Sequence, residues 1–281
     1  MLAQRVITAV VLLALLLPAL FVASPWPFAL LTLILIGAAG WEWGRLNGRS
    51  FGAALGLGAV VVALCGLAGA ALISNTVEGS QGVLWLAAAA AWLVGGAFAL
   101  RAGVAGWPAV PLALRLALGV VMLVAAWLAL VLLRSGGVNL LLSVLCLVWA
   151  ADIAAYFGGR AFGRRKLAPT ISPGKSWEGV AFGVLGVLAL AVLWLFVERR
   201  LGLASPSFYS RLAARFGLVG AALLLVPMAG LSVVGDLFES LVKRAAGAKD
   251  SSRLLPGHGG VLDRIDALLP VLPAALAALA L

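Results

Sequence analysis

LALRLALGVVMLVAAWLALVLL, Leu112 to Leu133, carries a single charge, Arg115, in twenty-two residues. An apolar run of about 18 residues or more reads as a membrane-crossing helix, because at ~1.5 Å per residue it bridges a hydrocarbon core ~30 Å thick. Eight further runs answer the same description: 6–24, 27–44, 51–73, 82–100, 138–157, 179–197, 212–234 and 264–281. Within lipid a backbone N–H or C=O has no water to bond, so such segments must be helices unless strands close into a barrel. The expected fold is therefore all-α, a polytopic integral membrane bundle of about nine transmembrane helices. A composition that is 64% hydrophobic, with a mean hydropathy of +1.16 over 281 residues, excludes an ordinary soluble globule.

The first run has Arg5 before it and small residues near Ser24, as a signal peptide does. Pro25 stands where cleavage would fall and more spans follow, so it is read as an uncleaved span. Cys65 and Cys146 both lie inside apolar runs and read as small buried hydrophobes, not as a disulfide or a metal pair. The chain reads as one polytopic domain, 1–281: membrane spans of low motif content over 1–135, then a half over 136–281 that holds the charged segments 158–178 and 235–264.

A net charge of +10 invites a nucleic-acid reading, but its distribution argues against one. With the N-terminus placed in the cytoplasm, fifteen of the twenty cations fall on the inner side and five, Arg134, Arg199, Arg200, Arg211 and Arg215, on the outer. That bias is the positive-inside rule, and it predicts nine crossings, the C-terminus outside and no nucleic-acid partner. The acids are sorted more strongly. Glu78 and Glu198 fall outside; Glu42, Asp152, Glu178, Asp236, Glu239, Asp250, Asp263 and Asp266 all fall at or near the inner face. Carboxylates at membrane depth are costly and mark functional sites or paired structural charges.

In VVGDLFESLVKR, Asp236, Glu239, Ser240 and Lys243 recur at i, i+3, i+4 and i+7 and so share one helical face. In LDRIDALL, Asp263 and Asp266 stand i and i+3 at the start of the last run, where the helix dipole also welcomes them. Two helix ends bearing carboxylates, joined by a flexible loop, suit a hard divalent cation that takes oxygen ligands and leaves positions open for phosphate. Zinc-type His and Cys clusters are absent from the sequence. Between the two helices lies PGHGG, Pro256 to Gly260, around the chain's one histidine, His258. It reads either as a tight turn or as a glycine loop that admits an anion to backbone N–H groups. His258 reads as a turn-stabilising group or phosphate donor ahead of a general base.

The other charged segment follows Asp152 and Tyr156, one helical turn apart: Arg160, Arg164, Arg165 and Lys166, then Ser172-Pro-Gly-Lys175-Ser176 and Glu178. Its GKS is no P-loop, since Pro169 occupies the glycine position of that motif. The plain alternative is a basic anchor on anionic lipid. All four lysines, Lys166, Lys175, Lys243 and Lys249, fall in these two segments while arginine serves elsewhere, which points to positions wanting a compact point charge.

Ser240-Leu-Val-Lys243-Arg244, Lys249-Asp250, Pro256-Gly-His258-Gly-Gly and Asp263-Arg264-Ile-Asp266 together resemble the signature of the phosphatidate cytidylyltransferase (CDP-diacylglycerol synthase) family. DIAAYFGGRAFGRRKLAPTISPGKSWEG and WEWGRL are similar to two further regions of that family, so the resemblance runs from the second span to the last. Ser176 departs from the threonine common there but keeps the hydroxyl. The resemblance implies a bacterial inner-membrane enzyme with its site at the cytoplasmic face, joining CTP to phosphatidate to give CDP-diacylglycerol and pyrophosphate. It implies Mg²⁺, with a monovalent cation such as K⁺ beside it, and metal ligands at Asp236 and Asp263, with Asp266 and Glu239 in support. Asp236, Asp263, Asp266, Lys249 and His258 are the catalytic candidates. Lys175, Ser172, Ser240, Lys243, Arg244, Arg253, Arg264, Asp152 and Tyr156 are the substrate-binding candidates. The resemblance is compatible with a homodimer, whose interface the small-residue run GAALGLGAVV would supply unless it packs within the chain. A polyprenol- or phytol-type lipid kinase would share the charged face but not the full spacing through PGHGG to DRID. A transporter for an anionic solute would bury charge at mid-membrane, in broken helices open to both sides.

Overall fold

The computed structural model describes residues 2–73, 81–203 and 205–281; Glu78, expected on the outer side, lies outside the described residues. The first eight apolar runs form eight helices long enough to cross a bilayer. These are α1 (Leu2–Phe21), α2 (Trp26–Leu46), α3 (Phe51–Ile73), α4 (Gln81–Gly106), α5 (Leu112–Ser135), α6 (Val138–Phe162), α7 (Trp177–Leu201) and α8 (Phe208–Ala245). Large side chains such as Leu67, Phe98 and Val192 stand bare on their outer faces. Such an apolar coat belongs in lipid, where it needs no other cover.

The ninth run also reaches from the motif-bearing end to the opposite end, where Arg215 bonds the Leu279 carbonyl, but in two pieces. It breaks into α9 (Leu262–Ile265) and α10 (Leu268–Ala280). The 13 residues of α10 rise only ~20 Å. That helix sits between α4, α5 and α8, with Leu269, Val271, Leu272, Ala274, Ala275 and Ala278 all buried. A helix that is apolar all round and short is a core helix, walled by protein on several sides.

Small residues let the long helices meet. On α7, Gly183 and Gly186 lie against the α6 backbone at Ala151 and Ala150, so a side chain there would strike a carbonyl. On α3, Gly58 and Ala54 of the GAALGLGAVV run press on Gly37 and Gly44 of α2. That face of the run is thus spent within the chain. A short antiparallel hairpin joins α6 to α7: β1 (Lys166–Ala168) pairs with β2 (Ser172–Ser176). Sequence alone shows only a turn-rich basic segment here, because Pro173 and Gly174 mask the strand. Ser176 ends β2 and starts α7, its hydroxyl accepting from the Gly179 N–H at 3.1 Å.

The motif-bearing segments gather at one end of the bundle. The Thr8 hydroxyl of α1 donates to the Pro256 carbonyl at 2.9 Å. At the end of α2, the Trp43 indole donates to the Arg115 carbonyl at 2.9 Å. Behind α8, Phe238 is ringed by Trp43, Trp92 and Trp107 at 5.4–6.1 Å between ring centroids, each such pair worth about 0.5–1.5 kcal/mol beyond its burial. The opposite end holds the minority arginines, and three of them bond backbone. Arg134 donates to the carbonyls of Leu20 and Val22 (2.9 and 2.7 Å), Arg211 to Gly136 (3.0 Å) and Arg215 to Leu279 (3.4 Å). These arginines close helix ends, which accounts for their departure from the charge bias.

Candidate active site

The i, i+3, i+4, i+7 face of α8 opens into a charged compartment. Ser240 donates to Asp236 Oδ1 at 3.3 Å. Lys175 reaches across from β2 to Asp236 Oδ2 at 2.7 Å. Two turns further along α8, Lys243 Nζ bridges Glu239 Oε2 at 2.5 Å and Asp263 Oδ1 of α9 at 2.6 Å. Asp266 lies within electrostatic reach of Asp236, Lys243 and Asp152. Asp152, near the end of α6, feels both Lys175 and Asp236. Four separate elements thus bring Asp152, Lys175, Asp236, Glu239, Ser240, Lys243, Asp263 and Asp266 into one neighbourhood.

Gly235 makes the approach possible. A side chain there would run into the Asp266 carbonyl and Pro270, so α8 and the α9–α10 junction touch only because the residue before Asp236 is glycine.

Asp263 is the most heavily bonded of these acids. Its Oδ2 accepts from the Ser251 N–H (2.8 Å), the Ser251 hydroxyl (2.8 Å) and the Gly260 N–H (2.7 Å), while Oδ1 takes Lys243. Burial pushes its carboxyl up, but the bonds from Lys243, Gly260 and Ser251 outweigh that and hold it below the usual carboxylate range. Glu239 is 2% exposed, and its Oε1 has no hydrogen-bond partner.

Five carboxyl groups face two lysines here in a partly dry site. The donors are all hard oxygens and fit a hard divalent cation. Among the described residues, no three such side chains already stand together at metal-holding distances; Asp236 and Asp263 are instead each taken by a lysine.

One residue of this end had no role assigned from sequence. Glu42 of α2 is fully buried. Its two oxygens accept from the Val261 N–H (2.9 Å) and Leu262 N–H (2.7 Å), and from the hydroxyls of Ser252 (2.5 Å) and Ser251 (3.3 Å). Glu42 therefore caps α9 from a distance of more than 200 residues in sequence and fixes the loop before it. Ser251 links the two acids, its single hydroxyl proton lying between Asp263 Oδ2 at 2.8 Å and Glu42 Oε2 at 3.3 Å. The available signal was a lone carboxylate in an otherwise apolar stretch of α2.

PGHGG forms a tight turn. Leu255 N–H bonds Gly259 O and His258 N–H bonds Leu255 O, both at 2.8 Å, with Gly257 and Gly259 at φ +77° and +87°. The turn borders a cavity of about 930 Å³ lined by Lys249, Arg253, His258, Arg264 and, from α1, Arg5. Arg244 donates to the Ala248 carbonyl at the end of α8 (3.4 Å), and exposed Tyr156 accepts from Arg160 (3.4 Å). Ser172 opens β2 opposite Ala168. Glu178 holds the turn before β1, accepting from the Arg164 and Arg165 N–H groups at 3.1 Å.

The sequence model of the cytidylyltransferase family matches residues 3–281. The chain is 40% identical over 279 residues to a phosphatidate cytidylyltransferase of Pseudomonas aeruginosa, covering 97% of this chain and 95% of that one. It is 50% identical over 137 residues to the protein of that name from Haemophilus influenzae, covering 49% and 44% of the two chains. A Thermotoga maritima protein of that name is 44% identical over 139 residues, covering 49% and 47%.

Proposed function

The chain belongs to the cytidylyltransferase family, and from that premise we propose that it is a membrane-embedded phosphatidate cytidylyltransferase, converting CTP and phosphatidate to CDP-diacylglycerol and pyrophosphate. One observation carries the reading: a relative of that name is similar along nearly its whole length, and motif residues Lys175, Asp236, Lys243 and Asp263 meet in one compartment of carboxylates and lysines.

In the reaction an oxygen of the lipid phosphate forms a bond to the α-phosphorus of CTP. The bond from that phosphorus to the α–β bridging oxygen breaks, and pyrophosphate leaves with its electron pair. The lipid phosphate is already anionic at neutral pH, so no strong base is required. The residues instead offset repulsion between two anions and hold them in line. Lys175 and Lys243 are placed for this, since each already holds a carboxylate oxygen at 2.6–2.7 Å and can exchange it for a phosphate oxygen. Ser240 orients Asp236, and the bonds from Ser251 and Gly260 hold Asp263 ionised.

Mg²⁺ is the expected cofactor, held by Asp236, Asp263, Glu239 and Asp266, with K⁺ as a second ion; bound, it supplies neutralisation of phosphate charge. The acyl chains remain in the bilayer, and only the head group enters the charged end. That end faces the cytoplasm of a bacterial inner membrane, with the N-terminus inside and the C-terminus outside.

The test uses purified full-length protein in detergent with phosphatidate, labelled CTP and Mg²⁺. Label passing into lipid with equal release of pyrophosphate is expected. Label passing instead into nothing, or phosphate passing to a polyprenol, would remove the reading.

A further inference from the structure

We propose that α1 is part of the substrate site: Arg5 joins Lys249, Arg253, Arg264 and His258 to form a chamber for a polyphosphate anion, the β- and γ-phosphates of CTP or the departing pyrophosphate. The proposal rests on the function proposed above and divides cations that reading left undivided.

The charge balance is the first support. Four permanent cations line the cavity of about 930 Å³, and among the described residues Asp250 is the only acid in its walls. Among the described residues the ion pairs are Arg165–Glu178, Lys175–Asp236, Lys243–Glu239 and Lys243–Asp263; none uses Arg5, Lys249, Arg253 or Arg264. Like charges crowded around one cavity repel until an anion enters it. His258 adds an unsatisfied group, its Nδ1 buried without a hydrogen-bond partner.

Arg5 is held at this cavity by contacts of its own helix. Thr8, one turn along α1, bonds the Pro256 carbonyl at 2.9 Å. Gly257 sits at φ +77°, and a Cβ there would meet Arg5 Cγ at 2.8 Å and Arg5 N at 3.2 Å. The first glycine of PGHGG is therefore required twice, for its backbone conformation and for the seat it gives Arg5. The chamber also adjoins the carboxylates: Gly259, in its wall, packs against Asp263 Oδ2. A polyphosphate here would extend from the basic chamber toward the carboxylate compartment, leaving Lys175, which bonds Asp236 and is not among the chamber's walls, for the lipid phosphate.

The test compares full-length wild type with Arg5→Ala and Arg5→Gln in mixed micelles of detergent and phosphatidate. Loss of one charge-assisted contact should raise the CTP KM ~10-fold, while the phosphatidate KM stays within ~2-fold. Pyrophosphate binding, followed by isothermal titration with and without Mg²⁺, should weaken by the same factor as the CTP KM. Arg5→Gln keeps the aliphatic stem that packs on Gly257, so it carries the test if Arg5→Ala does not fold. A CTP KM and pyrophosphate affinity both unchanged in Arg5→Gln would overturn the proposal, as would a rise in the phosphatidate KM alone. The titration needs no turnover, so it still decides the chamber if wild type makes no CDP-diacylglycerol, an outcome that would remove the proposed function instead.

Discussion

Asp263 and Glu42 face each other across Ser251, yet they do different work. Asp263 also holds the charged Lys243, whereas all the bonds of Glu42 go to loop and helix backbone or to serine hydroxyls. Replacing Glu42 by Ala leaves the Val261 and Leu262 N–H groups buried without acceptors, and should cost about 3 kcal/mol of stability, measured by denaturant titration in micelles. Ser252→Ala removes one donor to the same carboxylate and should cost about 1 kcal/mol. Equal effects of the two changes would show that Glu42 is no hub.

Asp263 also sets a pH dependence. Its carboxyl is held below the usual range in the fold, so its contribution to stability is complete above the unfolded-chain value of ~4. The contribution shrinks as pH falls beneath that value and is gone below the depressed folded one. Asp263→Asn should lower the neutral plateau by this contribution and so flatten the acid limb of the stability profile; an unchanged acid limb would contradict the bonding described.

At the scale of elements, the junction between α8 and α9–α10 carries the site. Gly235→Ala drives a methyl group into the Asp266 carbonyl and Pro270. It should cost about 1–3 kcal/mol as an overpacked contact and lower the transfer rate ~10-fold by displacing Asp263 and Asp266 from α8. Gly230→Ala, one and a half turns away on the same helix, meets nothing within 4 Å and should leave both quantities near wild type. The working face of α8 was legible from sequence, since 3.6-residue periodicity alone aligns Asp236, Glu239, Ser240 and Lys243. The partner of Glu42 was not, because no periodic rule joins residues 219 and 220 positions apart. The split of the last run into α9 and α10 escaped for a related reason: the run is continuously apolar from Ala267 onward, and burial by α4, α5 and α8 decides its length, not its composition.

Across the whole molecule, bilayer physics made the architecture readable, since eight runs long enough to cross appear as eight long helices. What composition could not give was the two-sided arrangement of the charged end. Carboxylates with Lys175 and Lys243 lie along α8, and unpaired cations with Arg5 lie across the PGHGG turn. Between them stands Asp263, bonded to Lys243 and to the loop that lines the basic cavity. The account therefore turns on whether this acid serves the reaction or only the fold.

The deciding measurement is the initial rate of CTP-dependent CDP-diacylglycerol formation by purified Asp263→Asn beside wild type, with the thermal midpoint of each recorded at neutral pH. A rate at least ~100-fold lower, with cooperative unfolding kept and a midpoint that is lowered but still well above the assay temperature, is the predicted result. Turnover close to wild type would contradict it and return the converging carboxylates to a purely structural role.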